Sequence, residues 1–382
     1  MTYYLGHYIC DLLSNERRWG ALPTMNKMGY IISALTEITP NKAMVLSPCE
    51  TGSKQLVKGQ THRLNDKIEL RTFHSRNSDN RILRRCYHMM TETHLYLFLL
   101  KHVTKDDTLI VYHSLALMSI VKRIKRLKKC RLIIEVEEVY ADVNEDAALR
   151  KKELKYLQIA DAYIAITEMV NKAVNLQNKP RILSHGTYET IPTYGQKFPD
   201  GKIHVVYAGS FNPIKGGALT AVGAAEYLDD RYVMHILGRG GDEASSKMVF
   251  NKIAQVSEKT ACQIVYNGYY TGKIFDTFIQ SCHIGLSTQQ PDGQYNASSF
   301  PSKILMYMSN GLPVVSVRIP AVESSQVGDY IYYYDDPTPE KIAAAIKSVP
   351  TDNFMDARDR LNELDKAFKQ DLSALLKPTS ES

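Results

Sequence analysis

Two loops of this chain set a lysine beside small residues just after a short apolar run, and a third does the same with an arginine; this is a pattern suited to holding phosphate. In "YAGSFNPIKGGAL" (207–219) the run ends at Gly209, turns through Ser210 and Asn212, and presents Lys215 beside Gly216 and Gly217 where a helix would begin. Small residues let backbone approach an anion closely, the first N–H groups of a helix point at it, and the lysine adds a point charge. "LGRGGDEA" (237–244) repeats the device with Gly238 and Arg239, although GRGG does not fit the GxGxxG dinucleotide fingerprint. The third loop, "NASSFPSKILMYMSNGLPVVS" (296–316), reads as a polar segment, a short helix and a buried strand. Ser298 and Ser299 are placed to cap the helix, Pro301 and Ser302 to open it, and Leu305 and Met308 to face a core, with Asn310-Gly311 as the stop. Lys303 then falls in the first turn, where the macrodipole opposes a cation by roughly 0.3–1 kcal/mol. A bound anion reverses that sign; a solvated surface lysine is the alternative. Lys215 lies at the edge of the same expected sheet, so both lysines can converge on one diphosphate.

These loops need a parallel sheet to align them. "HVVYAG" (204–209), "VMHILG" (233–238), "CQIVYNG" (262–268), "HIGLS" (283–287) and "LPVVSV" (312–317) have the length and β-branched content of strands, with helix-length stretches such as "GALTAVGAAEYL" and "EASSKMVFNKIAQVS" between them. Strict alternation predicts a doubly wound α/β domain with both faces of the sheet covered. The first half repeats it with "YYLGHYI", "KAMVLSP", "TLIVYHS", "RLIIEVEEV", "AYIAIT" and "PRILSHG". We expect two Rossmann-like domains, 1–190 and 191–352, with the join in "GTYETIPTYGQKFPDGK" (186–202), which has neither helical nor strand period. Residues 353–382 are expected to form a closing helix that packs back on the first domain.

The chain has 382 residues, 44% hydrophobic and 23% charged, an ordinary composition for a folded protein with a sizeable core. The six cysteines are scattered, without CxxC pairs or His partners at metal spacing, which speaks against disulfides and zinc and for a reducing cytoplasm. The N-terminus meets charges too early for a signal peptide, and no apolar run reaches membrane-spanning length. Net charge is +6, concentrated in "VKRIKRLKK" (121–129) and "RILRRCYHMM" (81–90). The first run carries Val121, Ile124 and Leu127 at helical spacing, so it is either a membrane-surface helix or a packed helix with a solvated basic face. Neither run carries a nucleic-acid recognition motif, and Tyr87 is the single aromatic in the two.

The segment Val205–Val317 resembles the donor-binding domain of glycosyltransferase family 4, retaining enzymes of the two-domain GT-B fold. The pieces that carry the resemblance are "YAGSFNPIKGG", "HILGRGG", "IVYNGYY", "CHIGLSTQ" and "FPSKILMYMSNGLPVVS", in the family's order. In the first half "LIVYHSLALMSIV" is similar to the family's active-site histidine segment, which makes His113 the counterpart, and "RILSHG" to the strand end before the crossover. The resemblance implies a nucleotide-sugar donor held by the second domain, an acceptor held by the first, and a cleft between them. Ser210 stands where the family usually carries arginine, and Ser298 and Met306 where it usually carries two glutamates. A methionine cannot accept a ribose hydroxyl. The resemblance implies that Lys303 takes the place of that arginine.

On this reading Gly209, Ser210, Asn212, Lys215, Gly216, Gly238, Arg239, Ser298, Ser299, Ser302 and Lys303 bind the donor. Lys215 and Lys303 stabilise the leaving diphosphate without a metal, since no DxD clamp follows a strand in either half. His113 positions the sugar, or is a strand-end imidazole satisfied by backbone. Glu135 and Glu138, in "EVEEVYAD" (135–142), bond acceptor hydroxyls, or belong to a solvated acidic loop. The expected acceptor is a saccharide or lipid-linked saccharide at the inner face of the membrane, as in polysaccharide assembly. An epimerase or inverting transferase of the same fold, and a non-catalytic partner subunit, remain alternatives.

Overall fold

The computed structural model describes residues 1–20, 22–40, 42–143, 146–212, 216–289, 299–350 and 354–377. Chain contacts divide it into two compact units, Met1–Thr187 with Ala367–Ser382, and Tyr188–Lys366.

The first unit runs β1 (Thr2–Leu5), α1 (Leu22–Ile38), β2 (Ala43–Ser47), β3 (Thr61–Arg63), β4 (Ile68–Thr72), α2 (Arg81–His102), β5 (Thr108–Tyr112), α3 (Met118–Lys128), β6 (Arg131–Val136), α4 (Tyr140–Val143), α5 (Ala147–Leu157), β7 (Ala162–Ala165), α6 (Glu168–Val174) and β8 (Arg181–Leu183). Its sheet has the order β3-β4-β2-β1-β5-β6-β7-β8 and is parallel except for β3, which is antiparallel to β4. The chain builds outward from β1 on one side and then returns to β5 on the other, so the carboxyl ends of β1 and β5 form the topological switch point where such sheets bind ligands. Leu109, Ile110 and Val111 of β5, and Leu132, Ile133 and Ile134 of β6, are fully buried. Their unbroken apolar runs follow from helices on both faces. Side-chain caps fix the helix starts: Asn80 accepts from the Ile82 and Leu83 N–H groups, Asp146 from Leu149, and Thr167 from Val170.

The second unit continues with β9 (Ile203–Ala208), α7 (Gly217–Ala224), β10 (Tyr232–Leu237), α8 (Glu243–Ser257), β11 (Gln263–Gly268), α9 (Gly272–Ser281), β12 (Ile284–Ser287), α10 (Ser302–Ser309), β13 (Val314–Val317), α11 (Pro320–Glu323), β14 (Ile331–Tyr334), α12 (Pro339–Ser348) and α13 (Arg358–Leu376). All six strands are parallel, in the order β11-β10-β9-β12-β13-β14. Here the switch point lies between β9 and β12. From Ala367 onward α13 belongs to the first unit, where Phe368 stacks on Tyr30 of α1 at 5.1 Å and Lys369 pairs with Glu37 at 2.8 Å.

The expected alternation holds in both halves, and the apolar runs fall on β1, β2, β5 to β8 and β9 to β13. Three strands stand outside the expectation. β3 is three residues long and mostly exposed, β4 mixes Glu69 and Arg71 into an alternating pattern, and β14 is the tyrosine run of an edge strand. Leu127 is a correction. Val121 and Ile124 of α3 are buried, as the packed-helix alternative requires, but Leu127 is 58% exposed, because α3 ends at Lys128 while Lys125 turns inward to Asp161 (2.5 Å) and the Cys130 carbonyl (2.9 Å).

Candidate functional site

In the second unit the loops after β9, β10 and β11 are stitched together at the carboxyl edge. Gly209 N–H donates to the Leu237 carbonyl (3.0 Å), Gly238 N–H to Gly268 (2.8 Å), and Phe211 N–H to Arg239 (3.0 Å). Gly238 has φ 138°, and a Cβ there would overlap the Gly209 carbonyl oxygen. Glycine is therefore required where these two turns touch. Helix α10 is docked on the same edge: the Tyr307 hydroxyl accepts the Ala208 N–H at 2.7 Å, fully buried.

Lys303, four residues earlier on α10, lies across Gly209. A Cβ on Gly209 would overlap Lys303 Cε and stand 3.0 Å from Nζ, and Nζ sits 5.4 Å from the centroid of the Tyr207 ring. The Tyr207 hydroxyl in turn donates to the Ser210 carbonyl at 3.2 Å. Burial pushes the Tyr207 and Tyr307 phenols above their usual range, so both remain protonated donors. Lys303, Gly209, Ser210 and Gly238 thus gather at the β9 end of the switch point, with the first turn of α10 behind the lysine. The arrangement sets a cation and helix-terminal N–H groups together at one edge, which suits a doubly charged phosphate group.

The remaining expected donor residues are distributed around this centre. Gly216 caps α7 with φ 65° and donates its N–H to the Asn212 carbonyl (3.0 Å), while Asn212 is exposed. The Arg239 guanidinium lies over the Tyr269 ring at 4.5 Å. Ser302 is exposed at the first position of α10, and Ser299 is half-buried. The expected serine cap is corrected: the residue that caps α10 is Pro301, extended at φ −65° and ψ 113°, without a side-chain capping bond. The chain enters the helix two residues later than a Ser299 cap requires. Lys215 and Ser298 lie outside the described residues.

The first unit has a buried polar cluster near the carboxyl ends of β6 and β8. Glu135 of β6 is fully buried, and its Oε2 accepts the Tyr4 hydroxyl of β1 at 2.6 Å, whereas Oε1 has no partner among the described residues. Burial, aided by nearby Glu137, pushes the Glu135 carboxyl up to about 8 against the opposing pull of Lys27 and Tyr4. Lys27 of α1 is itself buried; its Nζ bonds the Ser184 carbonyl and hydroxyl beyond β8, the latter at 2.9 Å, and stands 3.5 Å from Glu137. Glu138 is half-buried beside this cluster in sequence.

His113 follows β5 at the switch point and is almost fully buried. Its Nε2 lies 2.6 Å from Glu153 Oε1, and its Nδ1 has no partner among the described residues. Glu153 also accepts the backbone N–H groups of Tyr140 and Ala141, both at 2.9 Å, and so caps α4. Burial opposes the charge on Glu153, but His113 and the two backbone donors outweigh it and hold the carboxyl below its usual range.

Lys27, Tyr4, Glu153, Tyr207 and Tyr307 are the residues that sequence reasoning did not select. A lone lysine in the otherwise apolar "MNKMGYIISAL" was the available signal for Lys27, and the i, i+4 relation to Lys303 for Tyr307. Glu153 sits in "RKKELKY", which reads as a solvated helix surface and offers no such signal.

No known family model and no curated protein sequence matches the chain. Solved structures do. An OtsA structure without ligands aligns over 100% of both chains with a TM-score of 0.70 and 11% identity. A trehalose-6-phosphate enzyme from E. coli bound to UDP-2-fluoroglucose aligns over 99% of each chain, TM-score 0.67, 12% identity. A trehalose-6-phosphate synthase studied with bisubstrate glycomimetics, for glycosyl transfer with retention, aligns over 99% of this chain and 100% of its own, TM-score 0.65, 12% identity. The chain therefore has the GT-B fold over its whole length. At this identity the likeness is one of fold, and it does not single out family 4.

Proposed function

We propose that the chain is a retaining glycosyltransferase. It moves a sugar from a nucleoside-diphosphate sugar to a saccharide or lipid-linked saccharide acceptor, in assembly of a cell-surface polysaccharide at the inner face of the membrane. The observation that carries this reading is Lys303 lying across Gly209 at the switch point of the second unit. The fold likeness to proteins whose structures hold a UDP-sugar analogue, or were used to study transfer with retention, supports it.

In the reaction the bond between the anomeric carbon and the diphosphate oxygen breaks while the acceptor hydroxyl oxygen bonds to that carbon. Lys303, Lys215 and the N–H groups of the first turn of α10 stabilise the charge growing on the departing diphosphate, which takes up the acceptor's proton. The role requires no metal and no separate base. Gly209, Ser210 and Gly238 admit the phosphates to the backbone, Ser299 and Ser302 flank them, and Asn212, Gly216, Arg239 and Ser298 complete the donor surface. The acceptor falls to the first unit, with Glu138 as a partner for its hydroxyls and His113 as a positioning group; Glu135, fully buried and bonded to Tyr4, is corrected from an acceptor contact to a buried support.

Incubation with a panel of nucleoside-diphosphate sugars tests this reading. We expect nucleoside diphosphate release that is lost in Lys303→Ala and Lys215→Ala. Failure to bind any nucleotide overturns it and leaves a non-catalytic partner subunit. The His113–Glu153 pair favours a second reading, since a carboxylate-oriented imidazole is a general-base arrangement suited to an inverting transferase. The anomeric configuration of the product, read by NMR, decides between the two.

A further inference from the structure

Helix α2 carries two apolar stripes, and among the described residues only one of them is packed. Thr91, Leu95 and Leu99 face the interior and are buried. On the opposite side Ile82, Cys86, Met89, Met90, Thr93 and Leu97 recur at helical spacing, with Ile82 74%, Met89 56% and Leu97 53% exposed. No residue of the first ten in the helix is buried, and Leu83 is exposed as well. The outer stripe from Ile82 to Leu97 spans about 22 Å, more than scattered surface leucines would produce.

Exposed cations flank the stripe on both edges, Arg85 on one and Lys101 on the other, while Arg81 and Arg84 at the helix start share the side of Thr91, Leu95 and Leu99. Glu92 is the single acid of α2, and it is engaged by His88 at 3.1 Å. Helix α3 packs alongside α2 and turns Lys122, Arg123, Arg126 and the exposed Leu127 outward. A second copy of the chain is a poor occupant. Antiparallel pairing along the stripe sets Arg85 of each helix against Lys101 of the other, and parallel pairing sets like cation against like cation.

We infer that the outer face of α2 docks on an anionic lipid surface. Ile82, Leu83, Met89 and Leu97 enter the boundary between headgroups and acyl chains, and Arg85 and Lys101 at the edges of the stripe meet lipid phosphates. This moves the principal lipid contact from the run 121–129 to the run 81–97, with α3 as a flanking basic surface. It deepens the membrane part of the proposed function and does not depend on glycosyl transfer.

The test is flotation of the full chain with vesicles of phosphatidylcholine containing about 30% phosphatidylglycerol, in the absence of any nucleotide sugar. The chain is expected to float with these vesicles, to stay behind with pure phosphatidylcholine, and to be released by high salt. Arg85→Ala with Lys101→Ala should weaken binding about 25-fold, taking each cation as about fivefold. Ile82→Asp with Met89→Asp should abolish it, and because these side chains are exposed the thermal midpoint should not move. Equal flotation with neutral vesicles, absence of flotation, or a dimer that Ile82→Asp with Met89→Asp splits each overturns the inference. A chain that transfers sugar but does not float sinks only the lipid contact, and one that floats but is inactive sinks only the proposed activity.

Discussion

Lys303 of α10 lies across Gly209 at the end of β9, so the absence of a side chain at one position is what places the cation at the other. Gly209→Ala should therefore mimic the loss of the lysine, because the new methyl displaces the flexible end of the Lys303 side chain and leaves backbone in place. Both Gly209→Ala and Lys303→Ala are expected to lower kcat about 10²- to 10³-fold, the usual cost of one lost charge-stabilising donor. Thermal unfolding should separate them from Gly238→Ala, whose methyl meets the Gly209 carbonyl oxygen and has no room. Full activity in Gly209→Ala would dissociate Lys303 from the reaction.

The Glu153 carboxylate serves His113 and two backbone N–H groups at once. In Glu153→Gln the amide group must turn one N–H₂ toward a donor, which leaves a buried polar contact unmade. We expect a loss of roughly 1–3 kcal/mol in urea unfolding. An unchanged midpoint would mean that α4 is held by other contacts.

Glu135 has its pKa raised to about 8 in the folded chain, above its usual value near 4.5. A folded state that prefers the protonated carboxyl gains the full contribution below about pH 4.5 and loses it as pH rises through 8. Glu135→Gln keeps the volume and the acceptor for Tyr4 but cannot ionise. Relative to Glu135→Gln, the wild-type chain should lose on the order of a few kcal/mol between pH 5 and pH 9, read from denaturant midpoints. Parallel pH profiles for the two proteins would count against a buried protonated carboxyl.

His283 shows the opposite dependence. Burial first, then Lys197 and His204, lower its imidazole to about 4, and its Nδ1 accepts the His204 N–H at 3.0 Å, which only an unprotonated Nδ1 can do. The folded state thus favours the neutral ring, and its contribution is complete above about pH 6.5 and lost as pH falls toward 4. His283→Asn retains an acceptor without the titration. Its melting temperature should fall less than that of the wild type between pH 7 and pH 4.5.

Much of the fold was legible because a parallel sheet covered on both faces demands unbroken apolar strands. "TLIVY", "RLIIEV" and "HVVYA" announce themselves in this way. β3 and β4 did not, since a partly exposed antiparallel pair at an edge tolerates charges such as Glu69 and Arg71. At the candidate site the sequence picked out Gly209, Gly238 and Lys303 by residue type and position in loops. It placed the cap of α10 on serines, and the structure places it on Pro301, because cap position depends on where the incoming loop reaches the sheet.

By itself the sequence determined the alternation of strand and helix, the glycine turns at strand ends, and the presence of cations in those turns. These are local properties, set by hydrophobic period, by backbone freedom and by the position of a charge relative to a helix start. Tertiary structure alone decided which of these groups meet. Lys303 and Gly209 are separated by 93 positions in "GSFNP…FPSK" and touch because β9 and β12 are neighbours at the switch point. Glu135 became a buried proton holder because β1 brings Tyr4 against β6 across β5, and the burial that removes it from water is a property of the assembled sheet. The outer stripe of α2 shows the same division. Its apolar spacing is written in the chain, but that it is the stripe left unpacked follows only from which side of the helix the sheet claims.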